Sequence, residues 1–293
     1  MKKLFIVNPV SAKEKLDYSV NLIKNQPYFN PEEDEIVISE YAGHVTEIAA
    51  SHPDCEIYSV GGDGTFLEAV NGVKNTGCPV CFLPLGSGND FIRSVSSLNN
   101  FDSVVTGLAS SEKRVLDLGL IDDGCFANIA SVGFDAEIVK NAQKFKKIPL
   151  LRKISYILSI FYTLFTYKGI PLKMTVDGEV IEGGFLLVAV ANGRFYGGGI
   201  EIAPTAVIDD GIFDVIYAPA MSRLKVLTIL PRLLNGSHLN HKLVKRVQAK
   251  NVTIESDTEF LRNTDGDLAP AKRTEISIKP SGLTVILPKE KEQ

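Results

Sequence analysis

The sequence predicts two domains: a doubly wound α/β domain at the N-terminal end and an antiparallel β-sandwich domain after it. The length of 293 residues allows this arrangement, because a domain takes about 150 residues. Strands and helices alternate up to about residue 117, which indicates a parallel sheet with helices on both faces. Beyond that point strands follow one another at short spacing, as is typical of a sandwich or barrel. We therefore place the boundary at residue 118, giving domains of residues 1–118 and 119–293.

The N-terminal domain opens with a short apolar run, Leu4–Val7, as expected for a strand that is buried on both faces of a sheet. Hydrophobic spacing and the glycines between apolar runs predict the other elements of this domain. Further strands are expected at Glu35–Ser39, Glu56–Val60 and Val80–Leu83, and helices at Asp17–Lys24, Val45–Ala50 and Phe66–Val73.

The C-terminal domain is predicted mainly from β-rich runs, and Asp177-Gly178 between the first two runs is a hairpin signal. Strands are expected at Leu172–Val176, Phe185–Ala191, Phe213–Tyr217, Leu243–Ala249, Val252–Glu255, Glu275–Lys279 and Leu283–Leu287. Helices are expected where apolar residues follow helical spacing, at Ala136–Lys144, Lys153–Thr166 and Leu224–Leu233.

Composition and charge exclude several classes of protein. With 31 Lys and Arg against 35 Asp and Glu, the net charge is -4, and we expect no nucleic-acid partner because such binding needs a basic face. Four scattered cysteines argue against a disulfide scaffold and for the reducing cytoplasm. The longest apolar stretch, about Ile154–Tyr167, is shorter than the roughly 20 residues of a spanning helix. We expect a cytoplasmic protein that contacts, at most, the inner face of the cell membrane.

The strongest functional motif is Gly61-Gly62-Asp63-Gly64-Thr65, between a predicted strand and a predicted helix. Glycines let backbone N–H groups approach a phosphate, and a helix N-terminus adds partial positive charge. A carboxylate such as Asp63 suits this place if Mg²⁺ lies between it and the phosphate. The alternative is an ordinary strand–helix turn in which Asp63 is the N-cap or Thr65 a capping hydroxyl, and the pentapeptide alone does not decide.

A second glycine loop, Pro84–Phe91, also follows an apolar strand and precedes a helix. In a parallel sheet both loops lie at the carboxyl ends of their strands, where ligands bind in such folds. Two small-residue loops at neighbouring strand ends favour nucleotide binding, although neither loop has the spacing of a P-loop or of G-x-G-x-x-G.

The motifs continue in order along the chain and resemble those of the soluble bacterial diacylglycerol kinase-like lipid kinases. The family pattern G-D-G-T-x-x-E-x-x-N-G is matched by residues 62–72, and P-x-G-T-x-N-D-F by residues 84–91 with serine in place of threonine. Shorter matches are Asn8-Pro9, Gly43-His44, Asn192-Gly193, Tyr196–Gly199, Ala203-Pro204 and Asp209–Gly211. The resemblance implies a Rossmann-like nucleotide domain and a β-sandwich domain with the active site in the cleft between them. It also implies ATP as phosphoryl donor and Mg²⁺ as cofactor.

The resemblance further assigns roles to individual residues. Asp63 would hold Mg²⁺ through water, with Asp90 assisting. A second, structural Mg²⁺ would be bound by the Asp210 carboxylate and the backbone carbonyls of Val207 and Ile212, although the sequence alone favours a simple turn at this point. ATP would contact Ser11, Ser39, Gly62, Asp63, Gly64, Thr65, Glu68, Ser87, Asn89 and Asp90.

The catalytic base of the family lies in a late D-G-E motif, where this chain has Asp265-Gly266-Asp267. We assign the base to Asp267 and an orienting role to Asp265, although the shorter side chain reduces the reach of the base toward a lipid hydroxyl. An earlier segment, Asp177-Gly178-Glu179, spells D-G-E. It precedes the Tyr196–Gly199 motif and is better explained as a hairpin turn.

The acceptor is expected to be a membrane lipid, because the N-E pair with which NAD kinases hold their acceptor nucleotide is missing at the expected place. Diacylglycerol, converted to phosphatidate, is the expected substrate. Two alternatives remain open. One is a kinase for a soluble acceptor such as NAD, and the other is a non-catalytic nucleotide- or lipid-binding module, which the replacement of glutamate by Asp267 would suit.

A basic cluster precedes the apolar stretch Ile154–Tyr167, and the combination resembles an interfacial helix on an anionic bilayer. The members of the cluster are Lys144, Lys146, Lys147, Arg152 and Lys153. The alternative is a core helix with a solvated basic start. We also expect that exposed sheet edges in the second domain could pair two copies into a homodimer.

Overall fold

In the computed structural model, which describes residues 1–148, 151, 154–233 and 235–289, the N-terminal domain is built on a parallel sheet. Its strands are β1 (Lys2–Val7), β2 (Glu35–Ile38), β3 (Cys55–Gly61) and β4 (Val80–Pro84). Around them lie the helices α1 (Pro9–Ala12), α2 (Leu16–Lys24), α3 (His44–Ala50), α4 (Asp63–Val73), α5 (Asp90–Val95) and α6 (Phe101–Gly107). The spatial order is β2-β1-β3-β4, with every neighbouring pair parallel.

The central strands of this sheet are buried on both faces, as the apolar runs predict. Every residue of Leu4–Val7 is inaccessible to solvent, and β4 is buried throughout. Helix α4 packs onto the sheet through Phe66, whose ring lies 4.9 Å from that of Phe82 and 4.3 Å from that of Phe91. The aromatic contact joins α4, β4 and α5, and so holds the two glycine-rich loops of this domain side by side.

The C-terminal domain is mainly antiparallel. Its strands are β5 (Ser111–Ile121), β6 (Gly124–Phe126), β7 (Ile129–Gly133), β8 (Ile170–Val176), β9 (Glu179–Ala191), β10 (Phe195–Tyr196), β11 (Ile200–Glu201), β12 (Phe213–Pro219), β13 (Lys245–Ala249), β14 (Asn251–Thr264) and β15 (Asp267–Pro288). Its helices are α7 (Phe134–Lys146), α8 (Ser155–Thr166) and α9 (Arg223–Leu233). The described helices lack the length and apolar character that crossing a membrane requires.

Two long strands, β9 and β14, pass through both layers of this β-sandwich. The first half of β9 pairs with β8, whereas its second half pairs with β7 and β12. Strand β14 likewise pairs with β8 near its start and with β7 near its end. Apolar side chains from both layers, such as Met174, Val190 and Phe213, form the core between them. The predicted sandwich is therefore confirmed, with long bent strands in place of many short ones.

The last strand, β15, corrects the sequence prediction of two separate strands at Glu275–Lys279 and Leu283–Leu287. The structure has one strand with a register shift between Lys279 and Leu283 against β5. Its final residues return to the first domain, where Val285 pairs in parallel with Val80 of β4 and Ile286 joins the N-terminal core. The segment Pro280–Gly282 between the two apolar runs forms an irregularity inside a continuous strand, because both runs pair with the same neighbour, β5.

Several elements were not predicted because their apolar spacing is incomplete. Helix α6 begins after Asn100, whose side chain accepts a hydrogen bond from the Ser103 N–H at 3.0 Å. The first half of β5, Ser111–Arg114, is polar and largely exposed, so it lacks the signature of a buried strand. Helix α4 also starts at Asp63, three residues before the predicted start.

Candidate active site

The two glycine loops meet through their backbones at the carboxyl ends of β3 and β4. The Leu85 N–H donates to the Gly61 carbonyl over 2.6 Å. A Cβ atom on Gly86 would lie 2.7 Å from the Cα atom of Gly62, which is closer than real Cβ contacts come. Glycine is needed at 86 because the two backbones approach each other this closely.

Asp63 joins the first loop to the second. The N-cap of α4 is Gly62, so the alternative of Asp63 as the N-cap is wrong. Its carboxylate instead accepts hydrogen bonds from the backbone N–H groups of Asn89 at 2.7 Å, Asp90 at 2.8 Å and Phe91 at 3.4 Å. Burial raises the pKa of the Asp63 carboxyl, while these N–H groups oppose the rise. Asp63 therefore sets the position of the second loop.

Asp90 continues this chain of contacts into the second domain. Its two carboxylate oxygens accept hydrogen bonds from the N–H groups of Gly198 at 2.9 Å and Gly199 at 2.7 Å. Both glycines have positive φ angles, a backbone that glycine adopts without strain. Burial raises the pKa of Asp90 despite these bonds. The second glycine loop of the N-terminal domain and the Tyr196–Gly199 motif are thus joined by hydrogen bonds across the cleft.

Asp265 performs a similar task on the other side of the cleft. Its carboxylate accepts hydrogen bonds from the N–H groups of Ala127 at 2.8 Å, Ile129 at 2.7 Å and Asn128 at 3.2 Å. Burial raises its pKa to about 6 against these hydrogen bonds, and the negative charge of Asp63 adds to the rise. The carboxylate therefore orients the backbone that leads into β7, whereas the sequence analysis expected it to orient Asp267.

Asp267, the expected base, lies at the start of β15 opposite Thr264. Its side chain is exposed and lines the cleft. Among the residues that the structure describes, no hydrogen bond or ion pair involves its carboxylate. It is consequently free to receive a proton from a bound molecule.

A further carboxylate, Asp135, was missed by sequence reasoning. It lies in the first turn of α7, is only 6% exposed and lines the same cleft. Oδ2 accepts hydrogen bonds from the Ser131 hydroxyl and, over 3.2 Å, from the Asn263 amide, while Oδ1 has no partner among the described residues. Burial raises its pKa against the hydrogen bonds from these two side chains. The usable signal was a third strand–glycine–helix junction, at Gly133.

Of the residues predicted to contact ATP, most line the cleft and two do not. Thr65 is buried, and its hydroxyl oxygen accepts a hydrogen bond from the Asn8 amide at 3.0 Å. Ser39, which is buried just after β2, and Asn89, whose side-chain amide donates to the Asn99 carbonyl, are not among the residues that line the cleft. Those that do line it are Ser11, Gly62, Asp63, Gly64, Thr65, Glu68, Ser87 and Asp90.

The expected structural metal site lies at the turn before β12. The Asp210 carboxylate accepts a hydrogen bond from the Ile212 N–H at 3.2 Å. This bond closes the turn that the sequence alone favoured. Burial raises the pKa of Asp210, and the nearby charges of Asp117 and Asp214 raise it further. A cation would relieve this repulsion, and carboxylate with carbonyl oxygens is the donor chemistry of Mg²⁺. The other expected ligands are the backbone carbonyls of Val207, an exposed residue, and Ile212.

Beside the cleft lies an apolar cavity in the C-terminal domain. Its volume, counted as the space open to the centre of a water molecule, is about 80 Å³. Asp135, Tyr156 and Tyr196 line both the cavity and the cleft, so the two spaces are neighbours. Otherwise its walls are mostly aliphatic, with Ile160 and Leu186 among them.

Comparison with known proteins shows the family of the chain. Residues 2–121 match the family model of the diacylglycerol kinase catalytic domain, and residues 128–287 match that of the YegS C-terminal NAD kinase beta sandwich-like domain. The chain belongs to the diacylglycerol kinase-like family of lipid kinases. A diacylglycerol kinase of Mycobacterium tuberculosis is 28% identical over 255 residues, covering 85% of this chain and 82% of the relative. A diacylglycerol kinase of Bacillus subtilis is 26% identical over 257 residues, covering 85% of this chain and 83% of the relative.

Solved structures show the same fold over nearly the whole chain. The crystal structure of a diacylglycerol kinase from Bacillus anthracis aligns with a TM-score of 0.71 at 21% identity, covering 98% of this kinase and 96% of that chain. Another structure from the same organism aligns with a TM-score of 0.81 at 23% identity.

Proposed function

We propose that this lipid kinase uses ATP and Mg²⁺ to phosphorylate the hydroxyl of diacylglycerol, giving phosphatidate. The main support for the proposal is that a polar cleft and an apolar cavity adjoin each other. A polar cleft, floored by two glycine loops and lined by carboxylates, adjoins an apolar cavity lined by aliphatic side chains. The cleft suits the phosphates of a nucleoside triphosphate, and the cavity suits an acyl chain.

The phosphates of ATP would lie against the two loops that Asp63 locks together. The N-terminal turn of α4 adds the partial positive charge of a helix end. Thr65 accepts a hydrogen bond from Asn8, so its own hydroxyl proton is left to donate to a phosphate oxygen. Phosphoryl transfer depends on positioning and charge neutralisation more than on covalent chemistry, and rigid loops supply the positioning.

The carboxylates of this cleft fit a magnesium ion held through water. Each ionised carboxylate has about four lone-pair sites, so Asp63 and Asp90 keep acceptor capacity after their backbone hydrogen bonds. Asp210, with the carbonyls of Val207 and Ile212, would hold the structural ion. When bound, Mg²⁺ supplies positive charge that offsets the charge developing on the transferred phosphoryl group.

Asp267 is the proposed base. Its carboxylate, which has no hydrogen-bond partner among the described residues, takes the proton of the lipid hydroxyl while the hydroxyl oxygen forms a bond to the γ-phosphorus. The bond between that phosphorus and the bridging oxygen of ADP breaks, and ADP leaves. Asp135, at the boundary between cleft and cavity, would position the polar end of the lipid through its free Oδ1.

A direct assay tests the proposal. The purified protein is incubated with labelled ATP, Mg²⁺ and mixed micelles that contain diacylglycerol, with other hydroxylated lipids and NAD as parallel acceptors. Labelled phosphatidate that disappears when the metal is chelated is the expected result. Label only in NAD would favour the soluble-acceptor alternative. ATP binding without labelled product from any acceptor, even after Asp267→Glu, would favour the non-catalytic one.

A further inference from the structure

Helices α8 and α9 form one wall of the apolar cavity with their inner faces. Tyr156 and Ile160 of α8 line the cavity, as do Val226 and Ile229 of α9. Helices of this kind normally present polar residues on the opposite face. On α8 the opposite face is largely apolar as well, whereas on α9 exposed leucines alternate with basic residues.

The outer face of α8 carries a stripe of exposed apolar side chains. Ile157, Phe161 and Phe165 are 59%, 53% and 59% exposed, and their spacing of four residues places them on one side of the helix. On α9, Leu224 and Leu227 are 76% and 43% exposed. We call these five side chains the docking face. Phe161 and Phe165 are the only exposed phenylalanines in the part of the chain that the structure describes.

The docking face is continuous across the two helices. A guanidinium nitrogen of Arg223 donates to the Phe165 carbonyl at 2.6 Å, and the same group lies 5.7 Å from the centre of the Phe165 ring. The end of α8 therefore lies beside the start of α9, where Leu224 follows Arg223 in the chain. A contiguous apolar patch with a charged rim is typical of a surface that contacts a partner.

The charge around the docking face identifies the kind of partner. Residues 138–176 and 215–254, the segments that contain α8 and α9, include eight and seven Lys or Arg residues but none of the 35 acidic residues of the chain. Lys144, Lys146 and Lys147, at the end of α7, are exposed. Two copies of this chain would repel each other through such a face, whereas an anionic lipid surface would attract it. Of the basic cluster seen in the sequence, Arg152 and Lys153 lie outside the described residues.

We propose that the docking face binds the surface of an anionic lipid bilayer, bringing the wall of the apolar cavity against the membrane. The inference rests on the proposed function only in that the acceptor is a membrane lipid. Apolar side chains enter the boundary between headgroups and acyl chains, and the lysines contact anionic headgroups. An acyl chain then has a short path between membrane and cavity.

The experiment is cosedimentation of the full chain, without ATP, with vesicles of phosphatidylcholine or of phosphatidylcholine with roughly one third phosphatidylglycerol. The expected result is binding to the anionic vesicles that weakens as salt is added. Replacing both Phe161→Asp and Phe165→Asp should lower this binding at least roughly tenfold, because the two aromatic side chains that enter the bilayer are lost. Lys146→Glu with Lys147→Glu should lower it and reduce its dependence on salt.

The matched control is Val180→Asp. Val180 is also apolar and 54% exposed, but it lies beside the hairpin tip that joins β8 to β9. The control should bind vesicles as the unchanged protein does. Equal binding by the phenylalanine variant would overturn the proposal, and so would a dimer in the unchanged protein that the phenylalanine variant disperses.

Activity on two forms of acceptor separates this proposal from the proposed function. A short-chain acceptor dissolved as monomers should be phosphorylated equally well by the phenylalanine variant and the control, whereas a long-chain acceptor in anionic vesicles should be phosphorylated much more slowly by the variant. Vesicle binding that needs Phe161 and Phe165, without phosphorylation of any lipid, would support the docking face and reject the proposed acceptor. Phosphorylation of vesicle lipid that is unchanged in the variant would overturn the docking face alone.

Discussion

Two Asp-Gly turns in this kinase have the same local structure and different surroundings. Asp177-Gly178 joins β8 to β9, and Asp265-Gly266 joins β14 to β15. The φ angles are 44° and 94° in the first turn and 47° and 97° in the second, as in hairpin turns that need positive φ at both positions. Both aspartates also accept backbone N–H groups from a neighbouring segment, Lys250-Asn251 in the first case and 127–129 in the second.

The two turns differ in what lies next to them. Glu179, after the first turn, is exposed on the hairpin, whereas Asp267, after the second, lines the cleft that also contains Asp63. Burial acts to raise the pKa of Asp177, but the hydrogen bonds from the N–H groups outweigh it and the pKa is lowered. Burial dominates at Asp265, whose pKa rises to about 6. A turn motif therefore specifies a backbone, and the packing around it decides whether the next carboxylate can take part in chemistry.

The largest expected effect separates the residues that follow the two turns. Asp267→Asn should slow lipid phosphorylation at least roughly 100-fold, since a positioned base contributes about that much, while ATP affinity measured by calorimetry stays unchanged. Glu179→Gln should leave both quantities unchanged. Asp267→Glu, which keeps a carboxylate with longer reach, should retain activity. Undiminished turnover in Asp267→Asn would reject the assignment of the base.

The next largest effect is an opposite pH dependence of the free energy of unfolding at the two turn aspartates. The folded pKa of Asp265 is about 6 against an ordinary 3.8, so the folded state binds the proton more tightly and ionisation between about pH 4 and 6 destabilises the fold, by at most about 3 kcal/mol. Asp177, with its lowered pKa, stabilises the fold at neutral pH and loses this contribution as acid protonates it.

Urea unfolding of Asp265→Asn and Asp177→Asn across pH measures these opposite trends. Relative to Asp265→Asn, the unchanged protein should lose stability as the pH rises from about 4 to 6. Relative to Asp177→Asn, it should gain stability as the pH rises from below toward the ordinary aspartate pKa of 3.8, and keep that gain at higher pH. Parallel stability curves for the unchanged protein and Asp265→Asn would show that burial does not control this carboxyl.

A smaller effect concerns Asp135, which is in the cleft without belonging to a turn of this kind. Asp135→Asn should lower kcat/KM for the lipid roughly tenfold, the value of one hydrogen bond to a charged group, with little change in the KM for ATP. Glu137→Gln, two residues along α7 in an ion pair with Lys140, is the matched control and should be neutral. Equal losses in the two variants would indicate a general disturbance of α7.

The smallest effect should be the same in both turns. Gly178→Ala and Gly266→Ala each place a side chain at a positive φ angle with open space around it, so only backbone strain opposes the change. Each should lower the free energy of unfolding by about 1 kcal/mol in denaturant titration. Only Gly266→Ala should also slow the reaction, because it moves Asp267. A much larger loss of stability at one turn would show that the turns are not locally equivalent.

Much of the fold could be predicted from hydrophobic spacing. The parallel strands, the two glycine loops and the hairpin at Asp177 follow from patterns within about a dozen residues, and the structure confirms them. The errors arose where pairing overrides local pattern. Two apolar runs with a short break between them predict two strands, yet both runs pair with β5 and form the single strand β15.

The candidate site could be predicted only in outline. Asp63 and Asp90 stand out because they sit in recognisable motifs, but their hydrogen-bond partners on the 89–91 and 198–199 backbones are set by the packing of loops. Asp135 carries no motif, and its importance comes from burial beside Ser131 and Asn263, the second of which is 128 positions away in the chain.

By itself the sequence determined the backbone of this kinase wherever a few neighbouring residues decide conformation: the buried strands, the glycine loops and both Asp-Gly turns. Tertiary structure alone decided which carboxylates share the cleft, which keep a free oxygen and which shift in pKa. The physical reason is that φ and ψ depend on sterics between adjacent residues, whereas desolvation and hydrogen bonding depend on whatever the fold brings near. Asp265 and Ile129 meet across 136 positions of chain, and no local pattern contains that distance.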